Sequence, residues 1–167
     1  MAERRAPAIA YVALGANLED PAVQIRRAMQ ELERVADTRV TARSALYRTA
    51  PVGFLNQPDF VNAVAQLETS LSPRALLDAL FVIENLHGRR RALPNAPRTL
   101  DLDLLLYGSL AIDEPGLQVP HPRLHQRGFV LVPLAEIDAD AMVPGRGRAG
   151  ELLALVDRGG VEVLSAA

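Results

Sequence analysis

The chain of 167 residues contains no cysteine, no tryptophan and no lysine; all 18 of its basic residues are arginine. Without an amine side chain it can carry neither a Walker-A phosphate loop nor a Schiff-base lysine. Without cysteine it has no thiolate nucleophile, no zinc–thiolate site and no disulfide, so redox chemistry says nothing about its compartment. Long apolar runs are also missing: the longest uncharged stretches fall short of the roughly 18–20 residues that span a bilayer. The N-terminal stretch starts basic but reaches Asn17, Glu19 and Asp20 too soon for a secretory signal. A formal net charge of −2 does not make a general nucleic-acid-binding surface. The expectation is a cytoplasmic protein with a single domain over residues 1–167, since domains typically hold about 100–200 residues.

What is present is a regular alternation of strand and helix patterns. Ile9–Leu14 reads as a buried strand, and Asp20-Pro21 as a helix start with Asp20 as N-cap. Ile25, Met29, Leu32 and Val35 recur at helical spacing. Thr38–Tyr47 reads as one strand, and Asp59–Leu67 as the next. Between them Thr49–Pro58 is irregular, broken by prolines and a glycine. Ser72-Pro73 starts a second helix through Leu76, Leu80 and Ile83 that should end near Gly88. A basic, irregular segment Arg89–Arg98 leads into a strand at Thr99–Tyr107. Beyond it lie a proline-rich turn at Pro120–Arg123, a short apolar stretch Phe129–Ile137 and a small helix at Glu151–Val156. The order strand–helix–strand–strand–helix–strand is that of the ferredoxin-like βαββαβ sandwich, an α+β fold with an antiparallel sheet. Its core would cover residues 9–137, with C-terminal additions over 138–167.

The sharpest chemical signal is Arg98-Thr99-Leu100-Asp101-Leu102-Asp103. Side chains alternate along a strand, so Asp101 and Asp103 share one face, about 7 Å apart, while the leucines take the other. Such a pair suits a hard divalent cation completed by phosphate oxygens and water. Taken alone, two acids also suit an edge strand that resists aggregation. Arg89, Arg90, Arg91 and Arg98 lie directly upstream, and guanidinium groups grip phosphate bidentately. Acids and arginines together at a strand mouth describe a polyphosphate site. Two other patterns fail on context. Gly145-Arg-Gly147-Arg-Ala-Gly150 matches a dinucleotide fingerprint in letters only, because no long strand precedes it and the acid it needs about 20 residues later has no room. His121 and His125 have zinc-like spacing, but Pro122 interrupts the helix they would need.

These residues, with Val119-Pro120-His121-Pro122-Arg123 and Arg127-Gly-Phe129 downstream, resemble the 6-hydroxymethyl-7,8-dihydropterin pyrophosphokinase family. Leu14-Gly15-Ala-Asn17-Leu18, Tyr47-Arg48-Thr49 and Gln57-Pro58-Asp59-Phe60-Val61-Asn62-Ala63 extend the likeness in order from about Ile9 to Ile137. The resemblance implies transfer of pyrophosphate from ATP to the hydroxymethyl group of a reduced pterin, leaving AMP, in folate biosynthesis. It implies two Mg²⁺ ions held by Asp101 and Asp103, and Arg89 and Arg98 acting on the phosphates during transfer. Arg91, His121 and Arg127 would help hold ATP, with Glu84 and Leu104 nearer the nucleoside. Thr49, Val52 and Asn62 would line the pterin pocket, with Phe60 and Phe129 on the two faces of the ring. The partners implied are ATP and the pterin, with no nucleic acid or membrane, and the chain is expected to act as a monomer.

The chain also departs from the family pattern. The segment before Pro97 reads Leu93-Pro94-Asn95-Ala96 where some members carry an aromatic residue and a further arginine, and the tryptophan able to close over the pterin is absent. Phe60 stands where tyrosine is common. The irregular segments Thr49–Pro58 and Arg89–Pro97 are expected to act as lids that exclude water. A Mg²⁺-dependent phosphohydrolase and a non-catalytic nucleotide-binding module could share the phosphate site. Neither calls for Phe60, Asn62 and Phe129 beside it.

Overall fold

Apolar residues fill both faces of Ala8–Ala16, which forms β1 in the interior of the main sheet. A strand so placed is covered on both sides, which explains the unbroken run Ile9–Leu14. The computed structural model describes residues 6–18, 20–50, 58–88, 100–158 and 160–165. Its main elements are α1 (Pro21–Glu33), β2 (Thr38–Arg43), β3 (Leu46–Thr49), β4 (Phe60–Thr69), α2 (Pro73–Leu86) and β5 (Asp101–Tyr107). A small hairpin follows, β6 (Ile112–Glu114) and β7 (Leu117–Val119), then a short 3₁₀ turn at Leu124–Gln126 and α3 (Gly128–Asp138). The chain ends in β8 (Met142–Val143), β9 (Gly147–Arg148), α4 (Ala149–Leu153) and β10 (Glu162–Ser165).

The main sheet has the order β10-β3-β4-β1-β5, with β2 also paired to β4, and the pairings are antiparallel. Two apolar layers sandwich it. On one face Ala10, Val12, Leu14, Leu67, Leu102 and Leu104 pack with Ile25, Met29 and Leu32 of α1 and Leu76 and Leu80 of α2. On the other, Tyr11, Val64 and Leu106 pack with Val130, Leu131 and Leu134 of α3 and Leu152 and Leu153 of α4. A register shift between Tyr11 and Val12 opposite β5 leaves Leu105 as the extra residue, and both Leu105 and Leu106 then serve the α3 layer.

Several expectations need correction. The single strand Thr38–Tyr47 is two strands, because buried Ser44 replaces a rung of the ladder. Its N–H donates to Val64 O at 2.9 Å and its hydroxyl accepts from Val64 N–H at 2.9 Å. Thr49, read as the start of an irregular segment, closes β3 and pairs with Phe60. Asp20 does precede α1, but it adopts a left-handed backbone (φ 56°) and its side chain makes no cap bond. Ser72 fulfils the cap it was assigned, accepting from Ala75 N–H at 3.1 Å. The apolar stretch Phe129–Ile137 is the helix α3, and the last small helix is Ala149–Leu153 rather than Glu151–Val156. The C-terminal segment is more than an addition, since β10 extends the main sheet beside β3. No described helix is long and apolar enough to cross a membrane.

Candidate active site

Strand register decides which of the singled-out side chains meet. Asp101 is the partner of Gly15, Gly15 of Asn62, and Asn62 of Tyr47, so one row crosses the sheet from β5 to β3. Asp103, Ala13 and Val64 form the next row, and Thr49 and Phe60 the row beyond Asn62. Cross-strand partners project from the same face, and Val64 and Ala13 belong to the layer under α3. The two aspartates, Asn62, Phe60 and Thr49 therefore all face α3. Between the carboxylates and the amide, β1 contributes only a methyl at Ala13 and a hydrogen at Gly15.

The amide wall is set by local contacts. Asn62 is buried and donates through Nδ2 to Thr49 Oγ1 at 3.2 Å. A Cβ on Gly15 would lie 3.1 Å from Asn62 Oδ1, so the glycine keeps the space that the amide oxygen occupies. Asn17, at 1% exposure, donates through Nδ2 to Pro58 O at 3.1 Å and ties the end of β1 to the chain entering β4. Phe129 sits in the first turn of α3, partly buried against the same layer. The Arg127 guanidinium lies 5.5 Å from its ring centroid, within cation–π range.

His121 joins this end of the sheet through its backbone N–H, which donates to Leu105 O at 2.9 Å. Burial and then the positive charge of Arg127 push its imidazole down to about 4; Asp101 opposes that shift and Arg123 adds to it. Nδ1 accepts from Arg123 N–H at 3.2 Å. The neutral ring then carries its proton on Nε2, which makes it a hydrogen-bond donor rather than a cation.

Two expected residues sit elsewhere. Leu104 packs into the α1–α2 layer, on the opposite face of β5 from the aspartates, as alternation requires. Glu84, which by its place late in a helix would be read as solvent-facing, is 2% exposed and accepts from Leu102 N–H at 2.8 Å. It covers the outer edge of β5, where a backbone donor would otherwise be left without a partner. Val52, Arg89, Arg91 and Arg98, and most of both segments expected to act as lids, lie outside the described residues. Reasoning from the sequence attached no role to Gly15, Tyr47 or Glu136. Gly15 and Tyr47 fall inside quoted motifs, so the signal was there, whereas nothing near Glu136 marked it.

Among the described residues no group of three or more His, Cys, Asp or Glu side chains is placed to hold a metal ion. The pair Asp101 and Asp103 stands as two hard oxygen donors from alternate residues of one strand, partly open to solvent. That set fits Mg²⁺, which takes one or two carboxylates and fills its remaining positions with water and substrate phosphates.

Comparison with known proteins identifies the family. Residues 11–139 match the family model described as 7,8-dihydro-6-hydroxymethylpterin-pyrophosphokinase. A 2-amino-4-hydroxy-6-hydroxymethyldihydropteridine pyrophosphokinase of Pseudomonas aeruginosa is 48% identical over 157 residues, covering 94% of this chain and 97% of the relative. The Haemophilus influenzae protein of the same name is 47% identical over 135 residues, 81% of this chain and 84% of its own length. Among solved structures, Plasmodium falciparum HPPK-DHPS, crystallised with pteroate, superposes with a TM-score of 0.73 at 14% identity. That likeness covers 93% of this chain and 43% of the larger one and speaks to the fold alone. On the family model and the close relatives, the chain belongs to the 7,8-dihydro-6-hydroxymethylpterin-pyrophosphokinase family.

Proposed function

We propose a division of labour over the α3-facing end of the sheet for this ATP-dependent pyrophosphokinase of folate biosynthesis. The β5 side takes the ATP phosphates and the β3–β4 side takes the pterin. The observation that carries this reading is the register: Asp101 and Asp103 face Asn62 across a strip of β1 that offers only Ala13 and Gly15. A phosphohydrolase would need the acids but not the amide and aromatic wall opposite them.

In this reading Asp101 and Asp103 would hold Mg²⁺, as two ions with ATP. When bound, the metal neutralises the phosphates and orients them. Asn62 and Thr49 supply an amide and a hydroxyl to the edge of the heterocycle, and Phe60 and Phe129 cover its faces. Held in line, the pterin hydroxymethyl oxygen attacks the β-phosphorus. The bond to the bridging α–β oxygen breaks, the hydroxyl proton is released, and AMP departs. Such a step needs positioning and charge stabilisation and no covalent intermediate. Neutral His121 donates from Nε2, and Arg127 adds charge beside Phe129. Arg89, Arg91 and Arg98 on the phosphates and Val52 at the pterin complete the proposal from sequence resemblance, whereas Glu84 and Leu104, expected toward the nucleoside, are taken up by packing behind β5. We further read the core as ferredoxin-like within one domain over residues 1–167, acting as a cytoplasmic monomer without nucleic-acid or membrane partners.

Asp101→Ala and Asp103→Ala test the assignment. Each is expected to lower turnover by about 10²–10³ or more, the range for losing one transition-state stabiliser, with far-UV circular dichroism unchanged. Parent-like turnover in both variants would remove the aspartates from the site.

A further inference from the structure

The wall of the proposed pterin pocket has two parts, Phe129 on α3 and Thr49 with Asn62 on β3 and β4. One carboxylate bridges the elements that carry them. Glu136 lies seven residues after Phe129, close to two helical turns, so it projects from the same side of α3. Both of its oxygens lie 3.1 Å from Ala45 N, and Oε1 also accepts from the Tyr47 hydroxyl. Tyr47 is the register partner of Asn62 and stands two residues before Thr49 on the same face of β3. Thr49 in turn receives the Asn62 amide. A continuous path of hydrogen bonds and cross-strand contact thus runs from the far end of α3 to the amide.

We propose that Glu136 is a positioning residue that fixes the separation between Phe129 and the Thr49–Asn62 wall, and so sets affinity for the planar pterin; this rests on the pocket assignment given above. The bridge is specific to that spacing, because α3 has an independent anchor on β1 and β4, four residues along those strands from the Gly15–Asn62 row. Tyr11 OH donates to Asp138 Oδ2 at 2.5 Å and accepts from Gln66 Nε2 at 2.9 Å. Removing the Glu136 bridge leaves α3 docked and frees β3 to shift under it. Burial, and then the bond to Glu136, raise the Tyr47 hydroxyl well above the ordinary tyrosine range, so it stays a donor throughout the working pH range.

The test compares Glu136→Ala, Glu136→Gln and Tyr47→Phe with the parent, measuring hydroxymethyl-dihydropterin and Mg-ATP binding by calorimetry, steady-state kinetics and Tm. Glu136→Ala should weaken pterin binding about five- to tenfold, with ATP affinity and kcat within about twofold of the parent. Glu136→Gln keeps one acceptor and should recover part of that loss. Tyr47→Phe should give a loss of its own, and adding it to Glu136→Ala should cost less than the two separate losses combined. Parent-like pterin affinity in Glu136→Ala and Tyr47→Phe overturns the proposal and leaves the pocket assignment intact. Equal losses of pterin and ATP affinity with a lowered Tm overturn it too, in favour of a purely structural tie. If the parent chain itself does not bind the pterin, the pocket assignment fails and this proposal with it.

Discussion

A methyl group on Gly15 would press against Asn62 Oδ1 at 3.1 Å, so the amide would have to give by a few tenths of an ångström. Gly15→Ala should therefore weaken pterin binding about three- to tenfold, the scale of one hydrogen bond loosened by about 0.7–1.4 kcal/mol. ATP binding should be unaffected, and calorimetry with each ligand separates the two; unchanged pterin affinity would show that Asn62 does not depend on this contact. His121 gives a second residue-level expectation. Because partial burial and Arg127 hold its pKa near 4, its ring resonances should titrate with a midpoint near 4, and a midpoint at or above the ordinary 6.5 would contradict the partly buried neutral ring. The sign for stability follows: between about 6.5 and 4 the unfolded chain binds a proton that the fold excludes, so stability falls as pH drops through that window. A His121→Asn variant should lose less over the same range. At Arg98 the expectation is about geometry rather than charge, since Arg98→Lys keeps the charge and loses the bidentate fork. Parent-rate turnover there would make the choice of arginine compositional. The carboxylate pair and both phenylalanines were legible because strand alternation and motif spacing are one-dimensional signals. The Gly15–Asn62 contact was not, since it depends on which strands become neighbours.

At the level of elements, the sequence marks amphipathic pieces well and doubly covered ones poorly. α1 and α2 each bury one face, and their apolar positions recur at helical spacing. α3 buries Val130, Leu131, Pro133 and Leu134 between the sheet and α4, carries Pro133 inside and has no side-chain cap, so neither a polar face nor a start signal announced it. β2 and β3 merged in the sequence reading because Ser44 breaks the ladder through its own side chain, a contact made with Val64 twenty residues away. The start of α3 is held by a second close approach. A Cβ on Gly128 would lie 2.7 Å from Asp157 O, a backbone atom that cannot swing aside. Gly128→Ala should destabilise the fold by about 1–3 kcal/mol, the usual cost of overpacking. It should also displace the turn bearing Arg127 and Phe129. A lowered Tm together with weaker pterin binding is the expected result, and a parent-like Tm would mean that the C-terminal segment yields freely. The ion pair Arg48–Glu162, at 2.9 Å with both side chains half-exposed or more, adds at most about 1 kcal/mol to the docking of β10. Backbone pairing with β3 and the Arg26 guanidinium, which donates to Ser165 Oγ at 2.8 Å, also hold it.

Across the whole molecule, the antiparallel sheet works as a ruler, with the proposed substrate sites at one end of one face. α1 and α2 close the opposite face over the larger of the two apolar layers, while α3 roofs the face of the proposed site and carries Phe129. Acids on β5 and an amide on β4 are brought together by β1, which itself contributes almost no side chain between them. A chain without lysine or cysteine suits this chemistry, because in-line transfer to a held hydroxyl asks for placement and charge rather than a nucleophilic side chain. The alternation of strands and helices from β1 to β5, with β2 and β3 run together, and the aspartate pair were readable from the residues alone. The joining of two remote walls through Tyr47 and Glu136, and the return of the C-terminus to the sheet as β10, are products of tertiary packing and left no local trace. The central claim is that this arrangement moves a pyrophosphoryl unit from ATP to the pterin. It is tested most directly by incubating the protein with Mg-ATP and hydroxymethyl-dihydropterin and resolving the nucleotides and pterins formed. AMP appearing in equal amount with pterin diphosphate is the expected result. ADP as the product, or ATP hydrolysis that proceeds without the pterin, would contradict it.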